Sequence, residues 1–130
     1  MEITVVSKNR CEAIDITGEA QEACHRWGGT GALLVYCPHT TAGVAVNEHA
    51  DPDVMRDVME TLARAVPHAG PYAHAEGNSD AHIKSVLTGN QVAVPVRAGR
   101  LLLGRWQGVF FLEFDGPRHR ALWLHFLHGE

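Results

Sequence analysis

The chain has 130 residues, a formal net charge of −4 and a sequence pI near 6.1. That length predicts a single domain, residues 1–130, which can bury a core without disulfide bonds and which is too short for the roughly 200 residues of a closed eight-stranded α/β barrel. The charge balance provides no basic stripe that could neutralise a phosphate backbone, so nucleic acid is not an expected partner.

The apolar runs of the sequence are short. "GALLVY" and "GVFFLEF" fall far below the roughly 20 residues that span a bilayer, and the first residues lack the basic-then-apolar order of a signal peptide. We therefore expect no membrane partner and a cytoplasmic location. Cys11, Cys24 and Cys37 form no Cys-x-x-Cys pair, and we expect them to be reduced, structural thiols.

Short strands and a helix are predicted first along the chain. The alternating apolar residues of "EITVV" and "EAIDI" follow the two-residue period of half-buried strands and predict an opening hairpin. Thr17 is the predicted cap of a short helix that a glycine pair ends. The apolar run "GALLVYCPH" then predicts a buried strand that ends at His39.

A strand, "GVAVNE", precedes the clearest helix signal in the sequence. Asp51 is a suitable N-cap, and Pro52 suits the first helical position. The buried stripe of this helix is predicted to consist of Met55, Val58, Met59, Leu62 and Val66. Pro67 ends the helix.

A second short helix and a run of strands complete the prediction. Asn78 or Ser79 is expected to cap the helix "DAHIKSVL", with His82 in its first turn. Strands follow in "QVAVPV", "LLLG", "GVFFLEF" and "ALWLHFL", with turns at Gly99-Arg100 and Gly116-Pro117. The order of strands, helices and strands predicts an α+β fold with a largely antiparallel sheet or sandwich.

Three of the nine histidines stand where an element begins or ends, beside other polar groups: His39, His74 and His82. Three neutral imidazoles with one open position are a standard zinc arrangement, which makes these residues candidate metal ligands. The alternative is that His74 and His82 only help to cap the short helix and hydrogen-bond Glu76 and Asp80.

A second group of residues suits an anion. Trp106 and Gln107 place an aromatic face beside an amide, and Arg118, after Gly-Pro, offers a planar fork of donors for phosphate or carboxylate. Asn78 at a helix N-terminus adds to an anion site. Glu113 and Asp115 lie nearby in the sequence, and Glu113 could equally pair with an arginine across a turn.

Three ordered motifs, "HTTAGVAVNEHADPDV", "YAHAEGNSDAHIKSVLTG" and "GRLLLGRWQGVFFLEFDGPRHR", closely resemble the YjbQ-like family, described as secondary thiamine-phosphate synthase enzymes. The resemblance implies an α+β fold, an antiparallel β-sandwich of two sheets with a few helices. It also implies a homotrimer whose sheets pack around a threefold axis, and apolar strands that exceed what the helices can cover point the same way.

The resemblance further implies the residues of the site. A divalent metal, zinc or, with a diphosphate substrate, magnesium, is expected on His39, His74 and His82. The expected catalytic residues are Glu48, Glu76 and Arg118. From their positions between and beside the two histidines, Glu76 and Asp80 are expected to orient the imidazole rings or to act as a base beside a metal-bound water. The expected substrate or anion contacts are Thr40, Thr41, Asn78, Trp106, Gln107 and Arg118, with Glu113 and Asp115 in support.

The family name implies a metal-dependent enzyme that acts on a phosphorylated small molecule. The reaction would join an aminopyrimidine diphosphate to a thiazole phosphate and release pyrophosphate, which needs a metal and cationic donors at the leaving diphosphate. Two alternatives stay open. One is a metal-assisted hydrolase with Glu76 or Glu48 as the base, and the other is a non-enzymatic module that binds a metal or a phosphorylated metabolite.

Overall fold

The structure is a computed structural model that describes residues 1–129. These residues form eight strands and three helices. The strands are β1 (Glu2–Val6), β2 (Glu12–Asp15), β3 (Gly31–Tyr36), β4 (Ala42–Glu48), β5 (Gln91–Arg97), β6 (Arg100–Leu101), β7 (Gln107–Glu113) and β8 (His119–His128). The helices are α1 (Thr17–Trp27), α2 (Pro52–Ala65) and α3 (Ser79–Thr88).

The strands form two antiparallel sheets. The five-stranded sheet has the order β1-β8-β3-β5-β6, and the three-stranded sheet has the order β2-β7-β4. Every strand pair in both sheets is antiparallel. The predicted α+β class and the antiparallel arrangement of two sheets are therefore confirmed.

β7 is buried on both of its faces, which explains the unbroken apolar run "GVFFLEF". Val109 and Phe111 face the five-stranded sheet and join the main core, which also contains Leu33, Leu122 and residues of α1. Phe110, Leu112 and Phe114 point the other way and pack against α2 and α3. The three-stranded sheet therefore forms the middle layer of the molecule.

The outer face of the five-stranded sheet carries apolar and aromatic side chains that no helix in residues 1–129 covers. Tyr36 and Trp123 stack there with ring centroids 5.8 Å apart. Trp123 and Leu127 are both exposed. None of the three helices has the length and apolar character that crossing a bilayer requires.

The predicted opening hairpin is wrong. β1 pairs with β8 in the five-stranded sheet, whereas β2 pairs with β7 in the three-stranded sheet. The segment between them, residues 7–11, carries the chain from one sheet to the other. Both strands have the predicted alternation, but their hydrogen-bonding partners lie about a hundred residues away in the sequence.

Two of the three predicted helix caps differ from the structure. Asp51 caps α2 as predicted, because its carboxylate accepts a 2.9 Å hydrogen bond from the amide of Asp53. Thr17 is the first helical residue of α1 and makes no side-chain cap, since its hydroxyl accepts instead from the amide of Val109. Asn78 occupies the N-cap position of α3 without a side-chain cap bond, because its Oδ1, which would accept that bond, lies against Nε2 of His74.

Two element boundaries also differ. β3 ends at Tyr36 rather than at His39, because Pro38 has no N–H to continue the ladder. The β5–β6 turn is centred on Ala98-Gly99, both with positive φ, and not on Gly99-Arg100. His39 therefore lies in a loop, three residues past the end of its strand.

The three cysteines are free thiols. Cys24 and Cys37 are buried, and burial raises the pKa of both.

Candidate functional site

The ends of four strands meet at one end of the molecule and enclose a cleft of about 370 Å³. Ala42 at the start of β4 pairs with Glu113 at the end of β7, so the β3–β4 loop lies beside the β7–β8 turn. The loop before α3 and the first turn of that helix close the third side. We call this space the polar cleft; it is lined by Pro38, His39, Thr40, Thr41, Glu76, Asn78, His82, Asp115, Arg118 and Arg120.

Seven of the site residues predicted from the sequence lie in the polar cleft: His39, Thr40, Thr41, Glu76, Asn78, His82 and Arg118. They come from three segments that are distant in sequence. His74 lies next to the cleft, where its Nε2 is 3.1 Å from Oδ1 of Asn78 and its ring meets that of His82.

Glu48, Trp106 and Gln107 do not reach the polar cleft within one chain. Glu48 pairs with Gln107 at the far end of β4 and β7, six residues along the strand from the Ala42–Glu113 pair, which corresponds to about 20 Å. Glu48 accepts a hydrogen bond from the Asp51 amide, and Gln107 accepts one from the Gly104 amide. The motifs "RWQG" and "DGPR" are close in sequence, but the length of β7 separates them.

A buried ion pair forms the floor of the polar cleft. Glu113 is 0% exposed and accepts hydrogen bonds from both Arg120 and Ser7. Burial alone would raise the pKa of Glu113, but the bonds from Arg120 and Ser7 outweigh it and hold the pKa below its usual value. Arg120 also donates to the Thr41 hydroxyl at 2.9 Å, so most of its donors serve the interior.

Asp115 connects two side chains that face the polar cleft. Its Oδ2 accepts from Asn78 at 3.0 Å and from Nη2 of Arg118 at 3.1 Å. Nε of Arg118 also donates to the Asp115 carbonyl at 2.7 Å. Within residues 1–129 these bonds leave Nη1 of Arg118 for a ligand, on a side chain that is 53% exposed.

Asp80 was expected to orient an imidazole or to act as a base, and the structure contradicts both roles. It is 0% exposed, and its two oxygens are held by Arg10 at 3.0 Å each and by Lys84 at 3.1 Å. Burial would raise the pKa of Asp80, but the hydrogen bonds from Arg10 and Lys84 lower it to about 2. Asp80 is therefore a buried structural carboxylate, paired with two cations behind the polar cleft.

Arg10 and Lys84 were missed by the sequence reasoning. Lys84 stands four residues after Asp80 on the same helix, a spacing that suggests an ion pair. Arg10 lies in the segment between the two sheets, 70 residues from its partner, and no local pattern indicates it.

The spacing of His74 and His82 fits two ligands of one metal ion. Their ring centroids are 5.4 Å apart and their planes are nearly perpendicular, at 83°. Two imidazoles on a tetrahedral zinc, with Zn–N bonds of about 2.1 Å, place their ring centres about 5.2 Å apart. The donor chemistry and the spacing of this pair therefore suit a divalent ion.

His39 does not complete a three-histidine set in this arrangement. Its Nε2 lies 3.0 Å from both the amide nitrogen and the carbonyl oxygen of Ala121. If Nε2 donates to the carbonyl, Nδ1 is free to bind a metal; if Nε2 accepts from the amide, Nδ1 carries the proton. Within residues 1–129, no three His, Cys, Asp or Glu side chains are already arranged to hold a metal ion.

The electrostatic setting keeps His39 in the form that a metal requires. Burial lowers the pKa of His39, and the charge of Arg120 acts in the same direction. The imidazole is therefore neutral at pH 7.

A second groove, of about 440 Å³, adjoins the polar cleft on the other side of His82. It is lined mainly by the apolar and aromatic side chains of Pro71, Tyr72, Ala73 and Ile83, together with His74, Ser79 and His82. His82 thus stands between a polar space and a largely apolar one.

Fold and cleft together define a small α+β protein with arginines and histidines gathered where the strands of two antiparallel sheets end. The family model described as "UPF0047 protein YjbQ-like" matches residues 1–129. The chain belongs to this family, as the resemblance of its motifs implied.

Relatives of known sequence and structure agree with this assignment. UPF0047 protein YugU of Bacillus subtilis is 45% identical over 124 residues, which cover 94% of each chain. A crystal structure of a YjbQ/UPF0047 family protein from Clostridium acetobutylicum superposes with a TM-score of 0.93 at 44% identity, covering 96% of this chain and 98% of that one. A hypothetical protein from Aeropyrum pernix gives a TM-score of 0.94 at 40% identity, covering 99% and 98%.

In the acid range we expect the free energy of unfolding to decrease as the pH falls from about 4 towards 2. The pKa of Asp80 is depressed from 3.8 to about 2 by folding, so its stabilising effect is present above the unfolded value and is lost as the pH falls through the folded one. A difference of nearly two pH units corresponds to about 2 kcal/mol. Urea unfolding followed by tryptophan fluorescence at several pH values measures it.

The Asp80→Asn variant separates this carboxylate from the others. It should be less stable at pH 7 and lose less stability than the wild type between pH 4 and pH 2. An unchanged pH dependence in Asp80→Asn would show that Asp80 is not responsible.

Proposed function

We propose that the protein is a metal-dependent enzyme that binds a phosphorylated small molecule in the polar cleft. The observation that carries the proposal is the convergence of Arg118, Thr40 and Thr41 with His39 and His82 on one space. Phosphate oxygens are bound best by charge-assisted donors, and arginine is suited to them because its donors are planar and paired.

The charges around the polar cleft favour an anion. Arg10, Lys84, Arg118 and Arg120 face three carboxylates, those of Asp80, Glu113 and Asp115. The ion pairs at Asp80 and Glu113 are buried and mutually satisfied, whereas Arg118 is half-exposed. Arg118 is thus the cation of this group that keeps an exposed donor at the cleft, and Glu76 is a further carboxylate in the lining.

Zinc is the proposed ion, or magnesium where the substrate brings a diphosphate. His74 and His82 would hold it, with His39 as the third ligand through Nδ1. When bound, the ion supplies Lewis-acid stabilisation of phosphoryl oxygens. The protein's own contribution is to orient the ligands, which the bond between His74 and Asn78 supports.

Thiamine-phosphate synthesis is the reaction that the family resemblance suggests. In that reaction Arg118 would stabilise the leaving diphosphate, while the largely apolar groove beside His82 offers room for an uncharged ring. Glu76 lines the polar cleft and is the proposed base. Glu48 can act there only from a second copy of the chain, because it lies at the far end of β4.

Hydrolysis and simple binding are the competing functions. Oε2 of Glu76 lies 3.9 Å from Nε2 of His74. In a hydrolase, Glu76 would be positioned there to activate a water molecule. Zinc-loaded protein, assayed on phosphate esters and on the pyrimidine diphosphate and thiazole phosphate pair, distinguishes the three. Release of pyrophosphate supports the synthase, and release of phosphate from the esters supports the hydrolase. Saturable binding without turnover supports the non-enzymatic binding module.

We also propose a homotrimer in the cytoplasm. The uncovered face of the five-stranded sheet, with Tyr36, Trp123 and Leu127, supports an association through apolar surface. Within one chain Trp106 lies far from the polar cleft, so a role for Trp106 in binding would require the cleft of a neighbouring copy.

Replacement of Arg118 by alanine should weaken phosphate binding at least tenfold. The change removes a charge-assisted donor, which contributes about 1.5–3 kcal/mol, while an exposed arginine contributes little to stability. Isothermal titration with inorganic phosphate measures the affinity, and thermal unfolding checks the fold. Arg97→Ala, at an exposed position on β5, is the matched control; equal affinities in the two variants would contradict the assignment.

His74→Ala and His82→Ala should each fold and lose stoichiometric zinc. Both side chains are at least partly exposed, so their removal costs one metal ligand but little core packing. Zinc is measured by atomic absorption after dialysis against a mild chelator, with His25→Ala on α1 as the control. Retention of one zinc per chain by both variants would show that these histidines are not ligands.

Light scattering should give about three times the chain mass of 14.2 kDa at micromolar concentration. Trp123→Lys places a charge on the uncovered sheet face and should reduce the mass towards that of one chain. A monomer mass for the wild-type protein would rule out the trimer.

A further inference from the structure

The segment between the two sheets, residues 7–11, is hydrogen-bonded to the turn that carries Asp115 and Arg118. The Ser7 amide donates to the Arg118 carbonyl at 2.9 Å, and the Arg118 amide donates to the Ser7 hydroxyl at 2.8 Å. The Gly116 amide donates to the Arg10 carbonyl at 2.9 Å. This segment therefore fixes the backbone of the β7–β8 turn from outside the cleft.

The side chain of Arg10 reaches two carboxylates at once. Nη1 and Nη2 each donate to an oxygen of Asp80 at 3.0 Å, and Nη2 also lies 4.0 Å from Oδ1 of Asp115. Lys84 is the second cation on Asp80, at 3.1 Å. Of these two cations, only Arg10 forms an ion pair with Asp115 as well.

Asp115 links Arg10 to the side chains that line the polar cleft. Its Oδ2 holds Arg118 and Asn78, and Oδ1 of Asn78 lies 3.1 Å from Nε2 of His74. Arg10 thus acts on one oxygen of Asp115, while the ligand-facing side chains occupy the other.

We propose that Arg10 is a positioning residue of the polar cleft, which holds Asp115 in the orientation that directs Arg118 towards a bound phosphate. The inference rests on the proposed function of Arg118. Without Arg10, Arg118 is the only cation left on the Asp115 carboxylate among residues 1–129, and this carboxylate draws further guanidinium donors towards itself. Those donors of Arg118 are then no longer available to bind the phosphate.

Two methionine variants separate positioning from stability. Arg10→Met and Lys84→Met each remove one of the two cations on the buried Asp80, so both should lower the melting temperature. Only Arg10→Met removes the contact with Asp115. Titration with inorganic phosphate should therefore give a dissociation constant about tenfold higher for Arg10→Met and within about twofold of the wild type for Lys84→Met.

Arg10→Lys keeps a positive charge beside Asp80 and loses the planar fork that spans two carboxylates. Arg10→Lys should therefore fold even if Arg10→Met does not. It should lose the same phosphate affinity as Arg10→Met. In an Asp115→Asn background, replacing Arg10 should have no further effect on the dissociation constant, because the connection is already broken.

The side-chain Nε–H resonance of Arg118, followed by NMR in the phosphate-free protein, gives a second readout. It should shift in Arg10→Met or Arg10→Lys and stay in place in Lys84→Met. An unshifted resonance, or equal phosphate affinities for the Arg10 and Lys84 variants, would overturn the role of Arg10. Wild-type protein that binds no phosphate would instead overturn the proposed function, while the resonance still decides whether Arg10 positions Arg118.

Discussion

The buried ion pair between Glu113 and Arg120 ties the two sheets together at the end where the site lies. Glu113 is the last residue of β7 in the middle layer, and Arg120 belongs to β8 in the five-stranded sheet. Ser7 and Thr41 satisfy the remaining polar atoms, so strands from both sheets share one hydrogen-bonded network. Breaking such a pair by removing one partner typically costs about 3–5 kcal/mol, because the other charge is left buried.

An apolar pair of similar size could stabilise the sheets equally well, so stability alone does not account for the ion pair. Its consequence for the cleft is geometric. Because Arg120 is bound on several sides, the Thr41 hydroxyl and the start of β4 are fixed relative to the β7–β8 turn. The lining residues thus rest on a hydrogen-bonded floor, and a preorganised site loses less free energy in ordering its own groups on binding.

The three arginines near the cleft differ in burial, and burial separates their roles. Arg120 is buried and engaged with Glu113. Arg10 is partly exposed and reaches Asp80 and Asp115 from behind the turn. Arg118 is half-exposed and anchored on one side only. Sequence alone could nominate Arg118 from its motif, but it could not distinguish a buried arginine from an exposed one.

Local signals in the sequence predicted local structure well. Asp51 caps α2 because the cap needs only the amide of Asp53 two residues later, and Met55 is buried on the predicted stripe. Thr17 failed as a cap because a distant strand, β7, supplies a competing partner for its hydroxyl. The opening hairpin failed for a related reason: alternation shows that a residue faces the core but does not show which strand lies beside it.

The candidate site shows the same division between local and distant information. Motifs brought His39, His82 and Arg118 together correctly, since the elements that carry them end at the same edge. Trp106 and Gln107 were grouped with them because they are near Arg118 in the sequence, although an extended strand separates positions that a helix would have kept close. Arg10 and Asp80 meet across 70 residues, and only the fold reveals that contact.

Buried and exposed charges are separated within the site. Asp80, Glu113 and Lys84 are buried, whereas Arg118 and Thr40 are exposed. Each buried charge is paired with an opposite one, and the pKa values of the Asp80 and Glu113 carboxyl groups are held below their usual values. Arg118 pairs with Asp115 and keeps a further donor on its exposed side. The exposed donor of Arg118 is therefore the part of this network that the buried ion pairs do not use, and it is the feature that supports the proposal of an anion at this position.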